Sequence, residues 1–307
     1  MALKALASGS TAQGSISSAA NTSIFTHNTS TYAVVTKNQT GQGTGGFVVL
    51  DISDPDNPTI VSEITDSTTG TNDDANNDWE LLNGALDVET VVIGGVPYAI
   101  IAQRLDTTAS AGGFTVIKLT DSSGNITSSS PSVIKQVQDG EAFAGSLNAA
   151  LSNVAAISTE TIGSTTYLFT IGTNSADKGT FQVYDLNKLI SNDNTALIEE
   201  KIDNGGYYQL DNPRDLDTFQ KDNIIYANVT AEGDDDHRSY MMELSFDPST
   251  GISRNRLWED DGIDMTASGH VTDNANTFFA ISGKDSTTSP FIMSITLFQP
   301  TLAMLQT

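Results

Sequence analysis

Carboxylates recur at matched places in this chain. Asp87 and Glu89 in "ALDVETVVI" align with Asp215 and Asp217 in "PRDLDTF", and His270 in "ASGHVTD" falls close to the position of Asp217. If the strands that carry them start around one axis, these groups converge and could hold a hard cation, calcium, by oxygen ligands. Each carboxylate could instead bond a backbone N–H at a strand end or face channel water. A second calcium candidate is "NDDANNDWE", where Asp74, Asn76 and Asp78 reproduce the alternate-oxygen spacing of a calcium loop. The match is partial: position six should be Gly and is Trp79, and position twelve should be Glu and is Ala85. A solvated acidic loop is the competing reading.

Aromatic residues suggest a different chemistry. Trp79, Phe143, Tyr207 and Tyr208 lie in polar segments rich in carboxylates and amides, and with His270 they form the expected ligand-binding set. A ring stacks on the apolar face of a sugar while polar neighbours take its hydroxyls. The same rings could instead plug seams between packed sheets. Formal catalytic motifs fail on context. "GQGTGG" (Gly41 to Gly46) links two strands with no helix after it, so it makes no phosphate cradle. "SVIK" (Ser132 to Lys135) lies in an expected outer strand and lacks its partner motifs. His27, His237 and His270 are scattered, and no nucleophile–base pair is proposed by any spacing.

Composition narrows the partners. The chain has 307 residues, with 38 acidic against 14 basic residues and a net charge of −24. Such a charge is repelled by phosphate backbones and anionic lipid, which argues against nucleic acid and membrane surfaces as partners. There is no cysteine, hence no disulfide framework or thiol chemistry. No apolar run is long enough for a membrane span, and the first fifteen residues hold too little apolar sequence for a signal-peptide core.

The elements that must position these residues come from an internal repeat. An aromatic opens the second apolar run of each unit: Tyr32, Tyr98, Tyr167, Tyr226 and Phe278, at spacings of 66, 69, 59 and 52. A second anchor follows 13 to 16 residues later, at Phe47, Phe114, Phe181, Tyr240 and Phe291. Each unit resolves into four short β-rich runs with tight turns such as "IGGVP", so each is a four-stranded meander. Stacked radially, such sheets bury both faces without a long open edge. The expected fold is therefore all-β, a propeller of five four-stranded blades at about 16–65, 82–139, 150–204, 212–261 and 265–307. Residues 1–15 form an N-terminal extension. A sandwich of the same strands is the alternative. The long polar loops fall on one face of the ring, where the innermost strands also start, and that face is the expected binding surface.

The run from "LNGALDVETVVIGGVPYAIIAQ" to "GGFTVIKL" resembles the propeller repeats of large secreted marine bacterial proteins of the hemolysin-type calcium-binding (RTX) kind. "FVVLDISDPDNPTIV", residues 47 to 61, resembles the LVIVD repeat of bacterial surface proteins. The resemblance implies export without a standard N-terminal signal and further domains in a longer chain. The calcium-binding Gly- and Asp-rich nonapeptides of the RTX family are absent here. The leading expectation is a non-catalytic binding or adhesion module of a secreted, surface or phage-fibre protein that recognises carbohydrate. The alternatives are a calcium-dependent lactonase-like or glycoside hydrolase propeller, with its metal near Asp87, Glu89, Asp215 and Asp217, and a structural spacer in a larger chain.

Overall fold

The computed structural model describes residues 18–38, 45–65, 82, 84–103, 112–174, 176, 178–203, 210, 212–221, 223–232, 239–260, 263–273 and 276–285. Strands β1 (Ala19–His27), β2 (Ser30–Lys37), β3 (Gly46–Asp51) and β4 (Thr59–Thr65) form the first sheet. The second holds β5 (Ala85–Ile93), β6 (Val96–Gln103), β7 (Gly113–Lys118) and β8 (Ser132–Gln138). The third holds β9 (Asn153–Ile162), β10 (Thr165–Thr173), β11 (Gly179–Asp185) and β12 (Leu197–Ile202). The fourth holds β13 (Pro213–Lys221), β14 (Ile224–Glu232), β15 (Ser239–Asp247) and β16 (Gly251–Asp260). Strands β17 (Ile263–Asp273) and β18 (Asn276–Asp285) pair on their own.

Each four-stranded sheet is an antiparallel meander in sequence order, as tight turns require. The turn at Gly94–Gly95 has φ of 59° and 81°, the left-handed backbone that only glycine adopts freely. Gly46 and Gly113, which open β3 and β7, are needed for closeness and not for a turn. A Cβ at either would lie 2.1 or 2.2 Å from the carbonyl oxygen of Ile64 or Val137, so the missing side chain lets neighbouring strands close up. A β-bulge recurs at one register in all four sheets, after Val49, Val116, Val183 and Glu243. The same irregularity four times over is the repeat written into the backbone.

The first strands are innermost: β1 packs on β5, β5 on β9, β9 on β13 and β13 on β17. Between sheets one and two lie Phe25, Val34, Phe47 and Ile101; between two and three, Ile100, Phe114, Leu168 and Tyr184. Between three and four lie Phe169, Phe181, Val229 and Phe246. Apolar side chains on both faces of the inner sheets are what radial packing demands, and a sheet with one wet face would alternate instead. The anchors Tyr98 and Tyr167 are buried in these seams.

Two expectations change. Five four-stranded blades are expected, but four four-stranded sheets and one two-stranded pair stand among the described residues. Residues 286–307, which carry the last expected strands, lie outside them. The second anchor of the fourth unit is also displaced by one. Phe47, Phe114 and Phe181 face Thr36, Ala102 and Ile171, and the residue facing the equivalent Thr230 is Met241, not Tyr240.

Candidate functional site

The meander places the starts of β5, β9 and β13 at the same end of the packed sheets. Here Asp87 feels the charge of Asp215, and Glu89 the charges of Asp87 and Asp217. Asp87 is 8% exposed, and its carboxylate accepts the backbone N–H of Val88 at 2.8 Å and of Ile157 at 2.8 Å. It also accepts Asn21 Nδ2. One side chain thus ties the first, second and third sheets together. Burial raises the Asp87 carboxyl to about 6 against the hydrogen bonds from Ile157 and Val88, with repulsion from Asp215 adding to the rise. Glu89 is raised to about 7, first by burial, then by the charge of Asp87, with Glu160 and Asp217 adding to it.

Sequence reasoning missed Glu160. It pairs in register with the anchor Tyr167, so the alignment gives it the place of Phe25, Val91 and Phe219. A carboxylate among those apolar residues was the available signal. The hydroxyls that join neighbouring innermost strands were missed too. Ser23 Oγ meets Thr90 Oγ1 at 2.7 Å, and Ser158 Oγ meets Thr218 Oγ1 at 2.7 Å, each bridging two sheets.

The mouth of the axis holds a cavity of about 50 Å3 lined by Leu86, Asn153, Ala155, Asn212, Pro213 and Arg214. These residues come from the starts of three innermost strands. Asn153, one of the lining residues, has its side-chain Oδ1 buried with no hydrogen-bond partner among the described residues. A volume of this size admits a few waters, at about 10–15 Å3 each, or the hydroxyl-bearing end of a larger molecule.

The remaining expected residues divide. Trp79, Tyr207, Tyr208, Asp74, Asn76 and Asp78 lie outside the described residues. His270 lies on β17, opposite Phe279. Phe143 is not an exposed ring. It is 8% exposed and meets Tyr184 edge-on at 5.8 Å. Its segment doubles back along the rim, where Ala144 N–H donates to the Asn194 carbonyl. The short helix α1 (Leu186–Ile190) buries Leu189 against the same core, capped by Asp185 accepting from the Lys188 N–H. Among the described residues no three His, Asp or Glu side chains stand close enough to hold a metal ion together.

No family model matches the sequence, and no curated protein matches it. Solved structures do. The chain is similar to an α-L-arabinofuranosidase from Lactobacillus brevis, at 10% identity over 88% of this chain and 85% of that one, with a TM-score of 0.51. It is also similar to an exo-β-1,3-galactanase from Clostridium thermocellum, at 11% identity, 85% and 54% coverage and a TM-score of 0.49. A third is the Nup133 β-propeller domain of Vanderwaltozyma polyspora, at 10% identity, 82% and 69% coverage and a TM-score of 0.45. At such identities the first of these likenesses speaks for fold alone, and with the sheet order above it makes the chain an all-β protein of the propeller type.

Proposed function

We propose that this chain is a non-catalytic binding module that takes the hydroxyl-bearing end of a neutral glycan at the axial mouth. The observation that carries this reading is Asn153, which lines the mouth cavity and whose buried Oδ1 has no partner among the described residues. A hydroxyl donated to it would remove the cost of an unmet buried acceptor. Leu86, Ala155 and Pro213 offer the C–H face of a sugar an apolar wall, and Arg214 offers donors. Trp79, Tyr207 and Tyr208, the rings expected to stack on a sugar, are to be tested by substitution beside the mouth residues. In this proposal the ring has five blades, the fifth completed by residues beyond β18. The module belongs to a longer secreted, surface or fibre protein of the RTX or LVIVD-repeat kind.

A glycan array followed by calorimetry on the hits tests this. Asn153→Leu should abolish binding, Arg214→Ala should weaken it several-fold, and affinity should change little between low and high salt because no ion pairs are broken. Unchanged binding in Asn153→Leu would remove the mouth from the site.

Glu89 favours a second reading, glycoside hydrolysis. A carboxyl raised to about 7 beside other carboxylates has the form of a general acid paired with a base. In that case Glu89 gives its proton to the leaving glycosidic oxygen while a neighbouring carboxyl group, that of Asp217 or Asp87, takes one from the attacking water. Arabinan, galactan and aryl-glycoside substrates decide it: turnover lost in Glu89→Gln would replace the binding reading. A calcium ion at the axial carboxylates is tested by a calcium-dependent rise in melting temperature that disappears in Asp215→Asn with Asp217→Asn.

A further inference from the structure

The innermost strands share a bulge of their own. Gln103 and Ala102 are neighbours on β6, but their partners Ala85 and Asp87 on β5 are not, so Leu86 is an extra residue between them. On β9 the extra residue is Ala155, between Val154 and Ala156, and on β13 it is Arg214, between Pro213 and Asp215. Strands β1 and β17 shift at the same place, after Ala19 and after Met265.

A bulge breaks the alternation of a strand and re-aims the side chain that it adds. Leu86 and Ala155 are each half-buried between two buried neighbours, and Arg214 is exposed between buried Pro213 and half-buried Asp215. In each strand the added residue is thus more open than those on either side. All three line the one mouth cavity of about 50 Å3. A single structural position, taken from three successive sheets, therefore sets much of what the cavity can accept.

We propose that Leu86, Ala155 and Arg214 are the specificity positions of the mouth, and that with Asn153 they select a sugar end bearing a hydroxymethyl group. This rests on the binding reading above. Space for a few waters takes a substituent and leaves the sugar ring outside. A hydroxymethyl group reaches deeper than a ring hydroxyl by the length of its methylene. Leu86, Ala155 and Pro213 suit that methylene, and the hydroxyl can donate to Asn153, whose buried Oδ1 has no partner among the described residues. A methyl group in the same place would leave the acceptor unmet. A carboxylate has no proton to donate, meets a chain of net charge −24, and gains little from Arg214, an exposed cation.

Calorimetry on disaccharides ending in glucose, galactose or mannose tests this, each beside its counterparts with a hydrogen, a methyl or a carboxylate in place of the hydroxymethyl. The hydroxymethyl member should bind about 10- to 100-fold more tightly than each counterpart, the factor for leaving a buried acceptor unmet. Ala155→Leu fills the cavity and should level the series while the melting temperature stays near that of the parent. Leu86→Ala removes an apolar wall and should narrow the preference. If Ala155→Leu does not fold, the unsubstituted protein and Leu86→Ala still decide. A level series, or binding confined to ends without the hydroxymethyl, overturns the selection; if Asn153→Leu still abolishes binding, the module reading stands without it. A preference unchanged in the folded bulge variants overturns the bulge residues as its source. Binding of no glycan at all overturns the module reading and this inference together.

Discussion

Two kinds of joint hold the innermost strands to one another. Between β1 and β5 and between β9 and β13 the joint is a pair of hydroxyls, Ser23 with Thr90 and Ser158 with Thr218. Between β5 and β9 it is the Asp87 carboxylate, reaching Ile157 N–H while also holding Val88 N–H and Asn21. A hydroxyl pair satisfies itself: each oxygen is both donor and acceptor, and losing one leaves a small group that can turn elsewhere. A carboxylate with several fixed backbone donors has no such freedom, and the donors have none without it. Where the joint is charged, the fold and its protonation are therefore coupled; where it is neutral, they are not.

The largest expected effect follows from that asymmetry. Asp87→Ala strips an acceptor from two backbone N–H groups and from Asn21 in a buried place, and should cost roughly 3–5 kcal/mol. Denaturant midpoints at constant m-value measure it. A loss below about 1 kcal/mol would mean that water replaces the carboxylate and that the joint is not structural.

A smaller effect is the pH dependence of stability. The folded chain holds the Glu89 carboxyl at about 7 and that of Asp87 at about 6, against 4.5 and 3.8 as ordinary values. Folding therefore raises both, so the folded state binds their protons more tightly than the unfolded state does. Their contribution to stability is fully present below the ordinary values and is lost as pH rises through about 6 and 7. Asp54, Asp193 and Asp247 shift downward, because hydrogen bonds favour their charged forms, and act in a more acidic window. The melting temperature should fall by several degrees from pH 5 to pH 8. Glu89→Gln should flatten that slope, although the net charge of −24 adds a part that no single substitution removes. An unaltered slope in Glu89→Gln would place the titration elsewhere.

Much of this was legible in the residues. Period-two apolar runs and the recurring Tyr fix the strands and the sheet order because a packed face repeats every second residue whatever its neighbours are. The equivalent places of Asp87 and Asp215, and of Glu89 and Asp217, followed from the same alignment. What failed had local causes. Tyr240 stands one residue before the true equivalent, Met241, and an aromatic at the wrong parity looks like an anchor until the partner strand is known. Phe143 lies in a polar segment, but it is buried because that segment turns back onto the rim and α1, a long-range contact with no sequence period. Gly46 and Gly113 look like turn residues, and only the nearness of Ile64 and Val137 shows otherwise. The mouth residues Asn153, Asn212 and Arg214 carry no motif, since a cavity is made by where three strands begin.

The smallest expected effect tests the neutral joint. Ser158→Ala removes one side of the bond to Thr218, whose hydroxyl also donates to Glu160 Oε1 at 3.5 Å. With that second partner at hand, Thr218 can tighten its bond to Glu160 and stay satisfied, so the cost should be about 1 kcal/mol. The change should also leave the pH slope of stability almost as it was, because no charge is gained or lost. Thr90 offers the control: its own N–H donates to Ser23 Oγ at 3.0 Å, so Ser23→Ala strands a backbone donor that Ser158→Ala does not. Ser23→Ala should therefore cost more than Ser158→Ala despite the same pair of hydroxyls. If the two variants lose equal stability, the backbone bond adds nothing and the two neutral joints are one device. If Ser158→Ala costs as much as Asp87→Ala, the distinction between charged and neutral joints fails.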